Sequence, residues 1–301
     1  MSASASKKVI IAALIGNSAI SVTKFFAAFM TGSSAMLSEG IHSLVDTGNQ
    51  ILLLYGMKQA KKPADENFPF GHGKEVYFWS FVVAILIFAV GSGVSIYEGI
   101  HHVLHPVVIE KPTVNYIVLV LALAFEGGAW YFAFKEFGKV KGEHGYIEAV
   151  QRGKDPSMFV VLFEDSAAML GLLVALLGIW LAQVTGNPVF DGIASICIGL
   201  ILGGTAVWLA VETKSLLIGE RANRDVIASI RQIAESFEEV EKVNELLTMH
   251  MGPEYILVNI SIRFKRGQFT REIESVIQEI DAVIKAEHAF IKRIFVEAEP
   301  A

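Results

Sequence analysis

The chain has 301 residues, 53% of them hydrophobic, with a formal net charge of -6 and a single cysteine, Cys197. Apolar residues gather in blocks of membrane-spanning length, which excludes an ordinary soluble domain and indicates a polytopic protein whose surroundings are a lipid bilayer. The acidic balance, with no basic stripe carrying interleaved aromatics, argues against nucleic acid as a partner; one cysteine excludes a disulfide framework or thiolate cluster.

Six membrane helices are predicted, at roughly 9–30, 36–57, 78–100, 115–136, 158–182 and 189–211. The first block is too long and uninterrupted for a signal-peptide core, and the leader before it lacks the arginines of a transit peptide. It is therefore read as a helix that stays. Lys7 and Lys8 precede block one, Lys58, Lys61, Lys62 and Lys74 follow block two, and Lys139, Lys141, Arg152 and Lys154 follow block four. The other loops are nearly bare of basic residues, so both termini and these two loops are expected on the cytoplasmic side, in a bacterial inner membrane.

Lys24 in the first block and Glu126 in the fourth are charges inside apolar helices. They are expected to pair or to border a cavity, the rival being a Lys24 side chain that snorkels outward. The second block contains Ser38-Glu39-Gly40-Ile41-His42-Ser43-Leu44-Val45-Asp46. His42 and Asp46, four residues apart, share one helix face and offer an imidazole and a carboxylate to a metal. A carboxylate at the bilayer centre costs about 2.5–3.5 kcal/mol, so it needs a partner. A polar pair that only joins helices is the other reading of these two residues.

Short turns, Thr31-Gly32-Ser33-Ser34 and Thr185-Gly186-Asn187-Pro188, make helices one and two, and five and six, antiparallel neighbours. His101, His102 and His105 follow helix three and read as interfacial polar residues or outer-mouth ligands. The inner loop from Gly138 to Pro156 is charged, with Glu143 and His144 read as solvated and a short amphipathic helix expected at Tyr146–Val150. Cys197, in block six, reads as a small packing residue.

From about residue 212 the apolar blocks give way to a soluble tail. Its pattern is helix (Asp225 to Phe237), strand (Val243 to His250), strand (Tyr255 to Phe264), helix (Thr270 to Ala286) and strand (Phe290 to Val296). Ile256, Val258, Ile260 and Ile262 alternate with more polar neighbours, as in a sheet with one covered face. Asn223 is placed to cap the first tail helix. A domain of about 80 residues has a thin core, so a homodimer is expected.

Three stretches together resemble the cation diffusion facilitator family of divalent-metal/proton antiporters. Thr31-Gly32-Ser33-Ser34-Ala35-Met36-Leu37 followed by His42-Ser43-Leu44-Val45-Asp46 is similar to its helix one to two signature, with Lys24 upstream, and Phe70-Gly71-His72-Gly73-Lys74-Glu75 to its helix three entrance. The order of elements agrees as well. The resemblance implies a six-helix membrane domain over 1–211 and a ferredoxin-like α+β dimerisation and regulatory domain over 212–301. It implies metal-out, proton-in exchange by alternating access, with no permanently bound cofactor and no enzymatic activity.

The resemblance also implies a ligand pair on helix five. In Val161-Leu162-Phe163-Glu164-Asp165-Ser166-Ala167-Ala168-Met169-Leu170-Gly171, Asp165 matches the family aspartate, but its partner position holds Val161, which cannot bind metal. The expected transport site is therefore His42, Asp46 and Asp165, completed by water or by Glu164. The Glu164-Asp165 pair resembles most a divergent branch that includes a mitochondrial zinc exporter. Asp65 and His72 match loop ligands, with Phe68 at the middle position, and the tail offers His250 and His288 as regulatory metal ligands.

Zinc takes imidazole and carboxylate in tetrahedral geometry, and the ligands bind it deprotonated, so metal and protons compete for the same atoms. An imidazole with ordinary pKa near 6.5 makes the exchange effective near neutral pH. His42 tilts selectivity toward zinc, leaving iron, manganese, cobalt, nickel and cadmium open. The alternatives are an intramembrane metal-dependent hydrolase, although no His-Glu-x-x-His is present, and a membrane metal sensor that transports nothing.

Overall fold

The computed structural model describes residues 3–109, 111–141, 145, 148–150 and 153–299. The inner-loop expectations on Glu143, His144 and Tyr146-Ile147 lie outside these residues. Six long helices come first: α1 (Ala3–Thr31), α2 (Ser34–Ala60), α3 (Glu75–Leu104), α4 (Pro112–Lys141), α5 (Pro156–Thr185) and α6 (Val189–Ile218). Each extends past its apolar block. Among the described residues, four helices are long and apolar enough to cross a membrane: α3, Pro112–Lys135 of α4, Phe159–Thr185 of α5, and α6. Helix α2 has the length, but Glu39, His42, Asp46 and Asn49 dilute its apolar character.

Sequence punctuation explains the turns. Gly32 and Gly186 both take φ +69°, the left-handed conformation that ends a helix at little cost in glycine. Proline opens α4 and α5, where its missing N–H is no loss. Helix α2 begins on Ser33, whose Oγ accepts from Met36 N at 3.1 Å. Asp191 reaches over from the first turn of α6: its Oδ2 accepts from Ser34 N at 2.6 Å, and its Oδ1 from Ser33 Oγ at 2.6 Å. A carboxylate thus faces the positive end of α2.

Helix α3 holds a π-helical turn at Ile87–Ser92 between two α-helical halves, Glu75–Leu86 and Gly93–Leu104. Its second half packs on α6 almost backbone to backbone. A Cβ on Gly99 would lie 2.7 Å from Gly192 O, and one on Gly192 would lie 2.9 Å from Gly99 O. Such small-residue contacts let apolar helices approach closely where lipid supplies no hydrophobic drive. Helix α2 occupies the middle of the bundle, touching α1, α3, α5 and α6.

Helix α6 runs to Ile218, beyond the predicted end at residue 211, because Thr213 and Leu216 still turn inward. The tail is a small α+β unit: α7 (Arg224–Glu235), β1 (Val240–Gly252), β2 (Tyr255–Phe264), α8 (Thr270–Glu287) and β3 (Ile291–Glu299). Strand order is β1-β2-β3, with β1 antiparallel and β3 parallel to β2. Ile256, Val258, Ile260 and Ile262 are buried against Ile230, Ala234, Ile280 and Ile284 of the two helices. Asn223 takes the N-cap position of α7 but makes no side-chain capping bond there.

The tail meets the inner end of the bundle directly. Gly73, just ahead of α3, lies against Met251 O and Gly252 Cα, with no room for a Cβ. Lys154 Nζ donates to Glu220 Oε1 at 2.8 Å, and His250 N donates to Glu220 O at 2.9 Å.

Candidate metal centre

Glu39, His42, Asp46 and Asn49 recur every three or four residues along α2, so they form one polar stripe down one helix face. Three of them are almost wholly buried: Glu39 and Asn49 at 0% and His42 at 1% exposure. His42 Nδ1 stands 3.3 Å from Asp46 Oδ1, yet neither atom makes an aligned hydrogen bond. His42 Nε2 and Asn49 Oδ1 are equally without a partner. Buried polar atoms are nearly always hydrogen-bonded, so these four atoms on one helix face stand out.

Helix α5 turns Glu164 toward this stripe. Its Oε1 accepts from Asn49 Nδ2 at 2.5 Å, and its carboxyl group meets that of Asp46. Two carboxyl groups in contact need a shared proton or a cation between them. The register of α5 follows from Gly171, where a Cβ would collide with Glu39 Oε1. Glu164 lies seven residues earlier, close to two full turns, and therefore faces α2 as well.

Asp165, the ligand expected on α5, is the next residue and projects about 100° further round the helix. Asp165 is half-buried, and it shares its charged neighbours Glu164 and Glu126 with Asp46. Val161 packs against the apolar core and offers no ligand. Asn49, which sequence reasoning passed over because an amide carries no charge, takes a place in the cluster; its spacing three residues beyond Asp46 was the available signal.

Beside the stripe, Lys24 is completely buried. Its Nζ lies 3.0 Å from Glu39 Oε2, 2.9 Å from Glu126 Oε1 and 2.8 Å from Ser43 Oγ. The snorkelling alternative is thereby corrected: an ammonium with two carboxylates and a hydroxyl at hand gains nothing by turning to the membrane surface. Glu39 was the unrecognised third member of this group.

Asp65 and His72 also meet, His72 Nε2 lying 2.9 Å from Asp65 Oδ2. Asp65 Oδ1 accepts from the backbone N–H of Asn67 and Phe68, as in a turn-anchoring aspartate. The His72 and Phe68 hydrogen bonds hold the Asp65 carboxyl below its ordinary range. Phe68 lies against the His72 ring, centroids 4.5 Å apart and planes tilted by 44°.

His101 and His105 lie side by side with their rings tilted, centroids 4.9 Å apart, whereas His102 is turned inward, its Nε2 3.7 Å from Asp191 Oδ2. His250 is buried beside Gly252 O, and His288 Nε2 lies 2.8 Å from Ser229 Oγ. Among the described residues no three His, Cys, Asp or Glu side chains are already drawn together tightly enough to hold a metal ion. His42, Asp46 and Glu164 form a chain of neighbours that a cation would have to close.

With this geometry in place, comparison with known proteins is specific. The family description "Cation efflux transmembrane domain" matches residues 10–218, and "Cation efflux protein, cytoplasmic domain" matches residues 222–301. The "Proton-coupled zinc antiporter SLC30A9, mitochondrial" of Xenopus laevis is 33% identical over 93% of this chain and 52% of its own length. "Metal tolerance protein C4" of Arabidopsis thaliana is 28% identical over 82% of this chain and 55% of its own. "Manganese efflux system protein MneP" of Bacillus subtilis is 22% identical over 98% of this chain and 96% of its own. The chain spans about half the length of the first two relatives.

Proposed function

The chain belongs to the cation efflux family, and from that premise we propose that it exports a divalent metal cation, zinc foremost, in exchange for protons by alternating access. The observation that carries this reading is Asp46 standing between His42, 3.3 Å away, and the Glu164 carboxyl group, amid buried atoms that have no partner. One imidazole and two carboxylates suit zinc and balance its charge. The same atoms accept protons, so a proton-loaded site releases metal and a metal-loaded site has released protons.

In this reading α1 and α2 cross the membrane with the other four long helices, giving six spans with both termini on the inner side. Two copies associate through the tail. The multi-pass membrane setting stands, while the bacterial inner membrane is not retained, since the Xenopus laevis relative is mitochondrial by name. Zinc is preferred because of His42 and of that relative, with manganese the first competitor in view of the Bacillus subtilis relative. Asp65 with His72, and the tail histidines His250 and His288, have a smaller part: each is already held by a protein partner.

The test is reconstitution into vesicles, with zinc, manganese and iron offered against a pH gradient. Zinc flux that follows the gradient, and is lost in His42→Ala and Asp46→Ala, is the expected result. Flux that ignores the gradient, or variants that transport like the parent, would overturn the reading.

A further inference from the structure

We propose that Asn49 is itself a ligand of the transported cation, binding through its amide carbonyl oxygen in place of the missing ligand at Val161. This rests on the reading of His42, Asp46 and Glu164 as the transport site and adds a fourth side chain to it.

Asn49 is wholly buried in the middle of α2. Its Nδ2 donates to Glu164 Oε1, which fixes the plane of the amide, and its Oδ1 is left without any hydrogen bond. A buried carbonyl oxygen with no donor is costly, and burial of an amide for structural reasons would be expected to satisfy both ends. The unused end belongs to the same polar face as His42 and Asp46, seven and three residues earlier. The partnerless atoms His42 Nδ1 and Nε2 and Asp46 Oδ1 therefore have a fourth companion.

The chemistry fits a cargo site. Two carboxylates neutralise a divalent cation, and a neutral amide oxygen completes the shell without adding charge. An amide does not titrate near neutral pH, so Asn49 would hold metal without competing for protons, leaving proton coupling to His42, Asp46 and Glu164. A shell of one nitrogen and three oxygens also favours manganese more than one with two nitrogens would. Asn49 is then a determinant of selectivity.

Two roles must be told apart, because the same amide also steadies Glu164. They predict opposite signs for Asn49→Asp. A ligand role gives the variant a charged oxygen at the metal, and zinc binding by the full-length protein in detergent, followed by calorimetry, stays level or tightens. A role confined to donating a hydrogen bond to Glu164 loses that donor and sets two carboxylates together, so binding weakens. Asn49→Leu removes both ends and is expected to weaken binding about 10–100-fold, the usual effect of losing a metal-site partner.

Asn49→Asp binding as poorly as Asn49→Leu, or Asn49→Leu binding like the parent, would overturn the proposal. If Asn49→Asp does not fold, Asn49→His with cobalt as probe decides. An imidazole in place of the amide oxygen shifts the cobalt absorption bands if position 49 is a ligand, and an unchanged spectrum refutes it. His42→Ala separates this from the parent reading. If that variant binds zinc normally, the whole site assignment falls; if it loses zinc while Asn49→Leu does not, Asn49 alone is removed from the site.

Discussion

Lys24 and Glu126 form an ion pair of 2.9 Å that ties α1 to α4 inside the bundle, and Glu39 of α2 joins them from the other side at 3.0 Å. Three helices therefore share one ammonium. Removing one partner of a buried ion pair typically costs about 3–5 kcal/mol, because the remaining charge is left in a medium that cannot solvate it. Lys24→Met strands two carboxylates and should lower the unfolding free energy in detergent by the larger part of that amount. Adding Glu39→Gln and Glu126→Gln to it should recover much of the loss. A melting curve of Lys24→Met that overlays the parent would show the triad to be dispensable.

The orientation of α5 separates two adjacent carboxylates. Glu164→Gln removes a group that meets Asp46 and accepts from Asn49, and zinc affinity should fall about 10–100-fold. Asp165→Asn, whose charged neighbours are Glu164 and Glu126, should bind zinc within a few-fold of the parent. The same titration on both variants checks the pair, and an inverted ranking would mean that α5 presents its other face to the ion.

Asp191 closes the N-terminal end of α2. Its carboxylate accepts from Ser34 N and Ser33 Oγ, so Asp191→Ala deprives the helix of a cap and of a favourable charge. The expected cost is about 1–2 kcal/mol. Hydrogen exchange at the first amides of α2 should accelerate in the variant while the tail is unaffected. Equal exchange in both proteins would show that Ser33 suffices as the cap.

The tail should carry a pH dependence of its own. Burial pushes the His250 imidazole below its ordinary pKa, with Lys154 adding to the effect and the Gly252 carbonyl and Glu220 opposing it. The folded tail holds His250 neutral, so as pH falls below about 6.5 the unfolded chain takes up a proton that the folded one resists. Stability is full above that pH and declines as pH drops toward the lowered folded value. Hydrogen exchange of the β1 and β2 amides in the full-length protein, corrected for intrinsic rate, should show less protection at pH 5.5 than at 7.5 if pH is lowered by about two units through this window. His250→Gln should flatten the difference.

Much of the architecture was legible in the residues. Apolar blocks of spanning length located the long helices, and the alternation Ile256, Val258, Ile260, Ile262 marked the covered face of β2. Block ends fell short because hydropathy drops at Glu212 and Lys214 while Thr213 and Leu216 still face inward, so helix and apolar block end at different places. In the site, the α2 pair was visible because a four-residue spacing fixes a face within one helix. The partner on α5 was harder, since one residue turns a helix by about 100° and sequence alone does not state which direction is inward. Gly171 bears on that direction: its close approach to Glu39 turns the side of α5 that holds Glu164, seven residues back, toward α2. Lys24 and Glu126 were conspicuous as charges, but only packing could reveal that Glu39 sits between them.

The contact of Gly73 with Gly252 has a mechanical implication. At that point the loop leaving α2 and the hairpin of the tail touch through their main chains, with no side chain between them to deform. Movement of the hairpin would be passed to the loop with little slack and from there to the inner end of α2. Asp46 lies fourteen residues from that end at Ala60, about 21 Å along the rod at the rise of an α-helix. A tilt started in the tail would arrive at His42 and Asp46 as a sideways displacement, which makes α2 a lever with its fulcrum near the Ser33 cap.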